Sequence, residues 1–364
     1  MARLLAPLSL RGLTLRNRVV VSPMQTYSAP DAVATPWHHA HLARFALGGA
    51  GLVMVEATAV TPEGRSTAVD LGLWNDAQGE ALARLVETVH ACGAPVGLQL
   101  QHAGRKAATA PPWQGFAPVA PAPGDEVLGP SATPAADGGH VPRPMGEADM
   151  DRLRAAYVAA ARRADAAGVD LVEIHMAHGY LLHSFLSPLA NDRADRWGGD
   201  RDGRMRFPLA VVEAVRAAWP AGKPLACRIS SVDGVGIGWS IEDSVALVGA
   251  LLARGVDLVD CSSGGMVLSR RDLMVRRGPG FQVPFASRLR RETGAAVIAV
   301  GAITEPEQAE AVLAEEAADL VAVGREMLVD PNWTLKAAAR LGVADPWSRW
   351  PTPFGWWLAR RERA

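Results

Sequence analysis

The sequence predicts a (β/α)8 barrel, and three observations carry that prediction. Eight short apolar runs recur along 364 residues, nearly continuous in hydrophobicity, as strands of a parallel sheet covered on both faces are. Stretches of helical period separate most of them. No G-x-G-x-x-G turn follows an early run, so the signature of the competing doubly wound open sheet is missing.

In chain order, Leu8-Ser9-Leu10-Arg11-Gly12-Leu13-Thr14-Leu15 alternates around a glycine and reads as a hairpin capping the bottom of the barrel. The strand runs follow at residues 18–22, 51–56, 96–100, 171–175, 225–229, 258–261, 297–300 and 320–323. Helical patterns occupy residues 76–92, 147–167, 207–219, 241–253 and 305–314. Gly168 and Gly255 stand where a left-handed C-cap is needed. Ser240-Ile241-Glu242-Asp243 and Thr304-Glu305-Pro306-Glu307 read as N-terminal capping sequences. The whole chain, residues 1–364, is expected to form one domain with two excursions. Residues 107–146, after the third strand, are rich in proline, alanine and glycine, and a loop of that length reads as a lid or binding loop. The tail, residues 345–364, carries Trp347, Trp350, Trp356 and Trp357 and is expected to pack on the barrel or on another subunit.

Composition narrows the function. Hydrophobic residues at 49% and charged residues at 21% are those of a globular chain. A formal net charge of -1 gives no footprint for nucleic acid or an anionic membrane, so neither is expected as a partner. Cys92, Cys227 and Cys261 lie far apart without a CxxC pair, which argues against a thiolate metal site and a disulfide framework. The N-terminus lacks the pattern of a signal peptide and no run has the length of a membrane span, so a cytoplasmic location is expected.

In a (β/α)8 barrel the reacting groups project from the C-terminal ends of the strands. Residues 175–207, HMAHGYLLHSFLSPLANDRADRWGGDRDGRMRF, follow the fourth strand and hold the densest group of such residues. His175 and His178 can be read as core histidines, as a metal pair short of a third ligand, or as two N–H donors aimed at one oxygen. Glu173, close in sequence, is expected to point into the sheet packing and not to serve as that ligand. Tyr180 is a weak acid suited to protonating a carbon beside such an oxygen. Arg228, on a buried strand, needs an anion or an acceptor, either a barrel carboxylate or the electron-rich ring of a flavin. Gly301, Gly324 and Arg325, after strands seven and eight, suit a phosphate.

Several motifs in order resemble the old yellow enzyme family of FMN-dependent ene-reductases, in its thermophilic-like bacterial branch. They are NRVVVSPM at 17–24, TPEGR at 61–65, QLQHAGRK at 99–106, HMAHGYLLHSFLSPLANDRADRWGG from 175, CSSG at 261–264 and VGREML at 323–328. The resemblance implies non-covalent FMN across the barrel mouth and NADPH or NADH as hydride donor. Ser22, Pro23, Met24, Gln25, Ala57, Gln99 and Arg228 would surround the flavin ring, with Gly301, Gly324 and Arg325 at its phosphate. His175 and His178 would bind the activating oxygen of an α,β-unsaturated carbonyl or nitro compound, Tyr180 would donate the proton, and Tyr27 would touch the substrate. No metal is implied, and a homodimer or higher homo-oligomer is expected. A related flavoprotein performing nitro-compound reduction or oxidative N-demethylation is the alternative. The chain departs from that branch at Gln25, where cysteine is common, and at Phe354-Gly355-Trp356, where relatives have a Tyr-x-Arg segment.

Overall fold

A computed structural model describes residues 2–266 and 275–361. The hairpin strands β1 (Leu8–Leu10) and β2 (Leu13–Leu15) pair antiparallel, as the alternation predicts. Eight parallel strands then close into a barrel: β3 (Val19–Val21), β4 (Leu52–Ala59), β5 (Val96–Gln101), β8 (Leu171–Met176), β9 (Leu225–Ser230), β10 (Leu258–Ser262), β11 (Val297–Val300) and β12 (Leu320–Val323). The last of them, β12, pairs back onto β3. Leu10 and Leu15 of the hairpin pack with Val20, Leu52, Met54, Leu171, Ala226, Leu258, Ile298 and Leu320, closing the barrel floor with an apolar plug.

Side chains two residues apart on a strand share a face. Two positions above the plug, the inward residues become polar: Gln99, Glu173, Arg228 and Asp260, all buried. Glu173 therefore faces the barrel interior, where Gln99 Nε2 donates to its Oε1 at 2.7 Å, and not the sheet packing that its place in an apolar run suggests. The outward residues of the strands join the main core beneath the helices.

The helices are α1 (Pro36–Leu47), α2 (Asp76–Ala91), α3 (Glu147–Ala166), α4 (Leu181–Leu186), α5 (Arg201–Ala218), α6 (Ile241–Leu252), α7 (Val283–Thr293), α8 (Pro306–Ala314), α9 (Arg325–Val329), α10 (Trp333–Arg340) and α11 (Thr352–Arg361). Gly168 and Gly255 have φ of +84° and +79°, the left-handed caps the sequence indicates. Ser240 caps α6 by accepting from Asp243 N. At α8 the cap is Glu305 without a side-chain bond, so Thr304 does not play the capping role. α5 starts at Arg201, ahead of the expected residue 207, because Asp200 accepts from Gly203 N at 2.8 Å and starts the helix there.

The excursion 107–146 is held by a two-residue parallel pairing of β6 (Leu128–Gly129) with β7 (Arg143–Pro144), and by burial of Val127, Leu128 and Met145. In the tail, Trp347 and Trp350 are half-buried, but Trp356 and Trp357 are 50% and 69% exposed. Those two do not pack on the barrel, one of the two outcomes expected for the tail. Residues 362–364 of the predicted tail lie outside the described residues.

Candidate active site

The polar layer inside the barrel rises to a mouth built by the strand ends. Arg228 Nε lies 3.1 Å from Asp260 Oδ2, with both side chains almost fully buried. Glu173 and Asp260 are both raised in pKa, first by burial. Asp260 forms the ion pair with Arg228, and burial pushes the Glu173 carboxyl up to about 8.

β8 carries His175 and ends in the turn that carries His178 and Tyr180. His178 is left-handed at φ +60° and Gly179 follows at +75°. His178 N donates to Ser230 Oγ at 2.9 Å, and His178 Nε2 stands 2.7 Å from Ser262 Oγ. Lys106 Nζ donates to the carbonyls of His178 and Gly265, tying the loops after β5 and β10 to this turn. The His175 ring centroid lies 5.1 Å from those of His178 and Tyr180. His175 Nδ1 has no hydrogen-bond partner among the described residues. Burial, then Arg228, pushes both histidines well below their usual pKa, so both rings are neutral near pH 7. Burial raises Tyr180 and lowers Lys106 to about 7. Among the described residues no group of three His, Cys, Asp or Glu is placed to hold a metal ion.

Next to the turn opens a cavity of about 560 Å³, lined by His178, Gln282, Gly301, Thr304, Gly324 and Arg325 among others. Ser22 and Met24 abut Gly324, where an added Cβ would meet Ser22 Cβ and Met24 Sδ at 3.8 Å. Ser22 N donates to Val323 O, which joins the end of β3 to that of β12. Pro23 and Gln25 lie half-buried in the same segment. Ala57 sits where the β4–β5 register shifts between Val55 and Thr58, a bulge that re-aims the strand end. Tyr27 is left-handed at φ +52° and meets Trp113 of the excursion edge-on at 5.6 Å. Burial, then Tyr180, raises its hydroxyl pKa.

Of the sequence-predicted residues, Gln99, His175, Arg228, His178 and Tyr180 lie on or just after β5, β8 and β9. His178, Gly301, Gly324 and Arg325 line the cavity, with Ser22 and Met24 against Gly324, whereas Pro23, Gln25, Ala57 and Tyr27 are not among its lining residues. Sequence reasoning missed Lys106, Gln282, Ser230, Asp233 and Arg277 as site residues. Lys106 had a signal, being one of three lysines and part of the QLQHAGRK stretch. Gln282 had none, because it precedes α7, a helix that the apolar pattern did not reveal.

These residues fit FMN. Arg277 and Arg325 line the cavity as cations for a phosphate. At Gly301 the backbone forms the wall itself, and a Cβ there would lie 2.9 Å from Gln282 Nε2. The free His175 Nδ1 and the buried Arg228 suit a partner rich in acceptors.

Residues 3–343 match the NADH:flavin oxidoreductase / NADH oxidase family. An NADPH dehydrogenase of Geobacillus thermodenitrificans is 45% identical over 342 residues, 93% of this chain and 95% of the relative. One from Listeria innocua is 42% identical over 344 residues, covering 94% and 96%. The solved structure of a morphinone reductase superposes with a TM-score of 0.77 at 28% identity, over 94% of this chain and 90% of that one.

Proposed function

Because the chain belongs to the NADH:flavin oxidoreductase / NADH oxidase family, we propose that it reduces the activated C=C bond of α,β-unsaturated carbonyl or nitro compounds. Membership makes it an oxidoreductase with FMN as cofactor and a reduced nicotinamide as hydride donor. The observation that carries the proposal is the pair of neutral imidazoles, buried His175 and half-buried His178, beside Arg228.

Bound FMN would supply the hydride chemistry between NADPH or NADH and the substrate β-carbon. Ser22, Pro23, Met24, Gln25, Ala57, Gln99 and Arg228 would hold its ring, and Gly301, Gly324 and Arg325 its phosphate. His175 Nδ1 is free to donate to the substrate oxygen, and His178 Nε2 gives the second donor in exchange for Ser262 Oγ. As neutral donors they stabilise negative charge developing on that oxygen without giving up a full proton. Tyr180 keeps its proton near pH 7 because burial raises its pKa, so it can pass that proton to the α-carbon. Tyr27 and Trp113 would close over the substrate from the excursion side. We take the working form to be a homo-oligomer, a reading supported by the exposed Trp356 and Trp357.

The test is direct. The purified protein should be yellow, with a flavin band near about 450 nm, and should oxidise NADPH or NADH faster when cyclohexenone is added. A flavin-loaded protein that turns over no activated alkene overturns the proposal.

A further inference from the structure

One buried pair beneath the His178–Tyr180 turn takes no part in the chemistry above. Gly179 N donates to His183 Nδ1 at 2.9 Å. That nitrogen is therefore unprotonated, and a neutral His183 ring carries its hydrogen on Nε2. His183 Nε2 lies 3.0 Å from Asp233 Oδ1, off the line of a well-aligned hydrogen bond, both side chains are fully buried, and neither atom has another partner among the described residues. The other carboxylate oxygen, Oδ2, accepts from Ser187 Oγ at 2.6 Å and from Trp239 N at 2.7 Å. Asp233 N donates to Trp239 O at 2.9 Å, so the loop after β9 is closed around the carboxylate. Burial pushes the Asp233 pKa up, but His183, Ser187 and Trp239 together hold it below its ordinary value.

We propose that Asp233 and His183 are positioning residues for the catalytic turn: Asp233 fixes the His183 tautomer, and His183 in that tautomer holds the Gly179 amide. This rests on the ene-reductase reading for its effect on turnover, but not for its effect on Gly179. Two consecutive left-handed residues, His178 and Gly179, make the turn costly to hold, and a fixed acceptor for Gly179 N–H offsets that cost.

Asp233→Asn tests the tautomer with almost no change in volume. Trp239 N–H requires an acceptor and pins the amide oxygen at the Oδ2 position. The amide NH2 then faces His183 Nε2–H, donor against donor. Moving the ring hydrogen to Nδ1 relieves that clash but sets it against Gly179 N–H. The first arrangement pushes the ring away from its place and the second removes the acceptor, so either weakens the hold on Gly179. His183→Asn should behave oppositely, because its side-chain oxygen takes the place of Nδ1 and can accept from Gly179 N–H, although its NH2 stops short of the Nε2 position facing Asp233.

The readouts are amide hydrogen exchange at Gly179 in the flavin-loaded protein, and the rate of cyclohexenone reduction. In Asp233→Asn, Gly179 should exchange about 10-fold faster or more while barrel-strand amides are unchanged, and turnover should fall by up to about 100-fold. His183→Asn should recover most of both, and His183→Leu should recover neither. Unchanged Gly179 exchange in Asp233→Asn, or a His183→Asn variant as impaired as His183→Leu, overturns the proposal. If the wild type reduces no alkene, the ene-reductase reading fails and the exchange result alone decides the claim about Gly179.

Discussion

Gly301→Ala probes the cavity wall. At φ +120° the residue lies in a region that glycine alone adopts readily, so alanine costs about 1–3 kcal/mol in backbone strain. The new Cβ would also stand 2.9 Å from Gln282 Nε2 and 3.0 Å from Phe281 Cε1. Gln282 cannot swing away freely. Its Nε2 donates to Val300 O at 3.1 Å, and its Oε1 accepts from Ser263 Oγ at 2.6 Å. Losing one such bond costs about 1 kcal/mol, which brings the total to roughly 2–4 kcal/mol. Because Gly301 and Gln282 both line the cavity, part of that cost should appear in FMN binding. About 2 kcal/mol of it would weaken FMN by about 30-fold. Flavin fluorescence titration of the apoprotein measures the affinity, and urea unfolding measures the remainder. An FMN affinity within twofold of wild type, with an unchanged urea midpoint, would refute the assignment of Gly301 to a rigid cofactor wall.

Arg325→Ala should weaken FMN by about 10- to 100-fold, the range for one charge-assisted contact, but leave riboflavin nearly unaffected; equal losses for both would remove Arg325 from the phosphate site. His178→Ala should slow alkene reduction by about 100-fold or more while NADPH still reduces the flavin, and stopped-flow absorbance separates the two half-reactions. Equal loss in both would show that the assigned role is wrong. Glu56 is buried on β4, and burial raises its pKa from 4.5 to about 7. Between those values the folded state holds a proton that the unfolded state releases. The associated stability is full below about pH 4.5 and is lost as pH rises through about 7, to the extent of about 3 kcal/mol. In urea unfolding, wild type should lose most of that stability relative to Glu56→Gln between pH 5 and pH 8, and a pH-independent difference would mean that Glu56 is ionised in the fold.

Most of the barrel was legible because its strands are buried on both faces, and continuous apolar runs need no partner to be recognised. The helices were less so. α1 carries His38, His39 and His41 among its apolar residues and so shows no clean apolar stripe, and α7 offers only a short one, with Ala286 and Leu289 buried in a largely polar helix. α5 begins in an arginine-rich segment that reads as loop, with Pro208 inside the helix, and only the Asp200 cap reveals its start. β4 runs past residue 56 to Ala59 because a bulge, invisible in hydrophobicity, lets it continue.

For the site, residue types on strand ends were enough to nominate His175, His178, Tyr180 and Arg228, but not to say what each one faces. Arg228 was left between a barrel carboxylate and a flavin. It meets Asp260 at 3.1 Å, so the barrel carboxylate is the partner the structure provides. Glu173 was turned away from the barrel because it sits in an apolar run, yet strand period two from Leu171 places it inward, above the plug. That rule was available in the sequence. Partner choice was not, since Asp260 lies 32 positions from Arg228 and Asp233 lies 50 from His183. Tautomers and ion pairs are set by side chains that only the closed barrel brings together, which is why the residues of the turn could be nominated from the chain while the partners they meet could not.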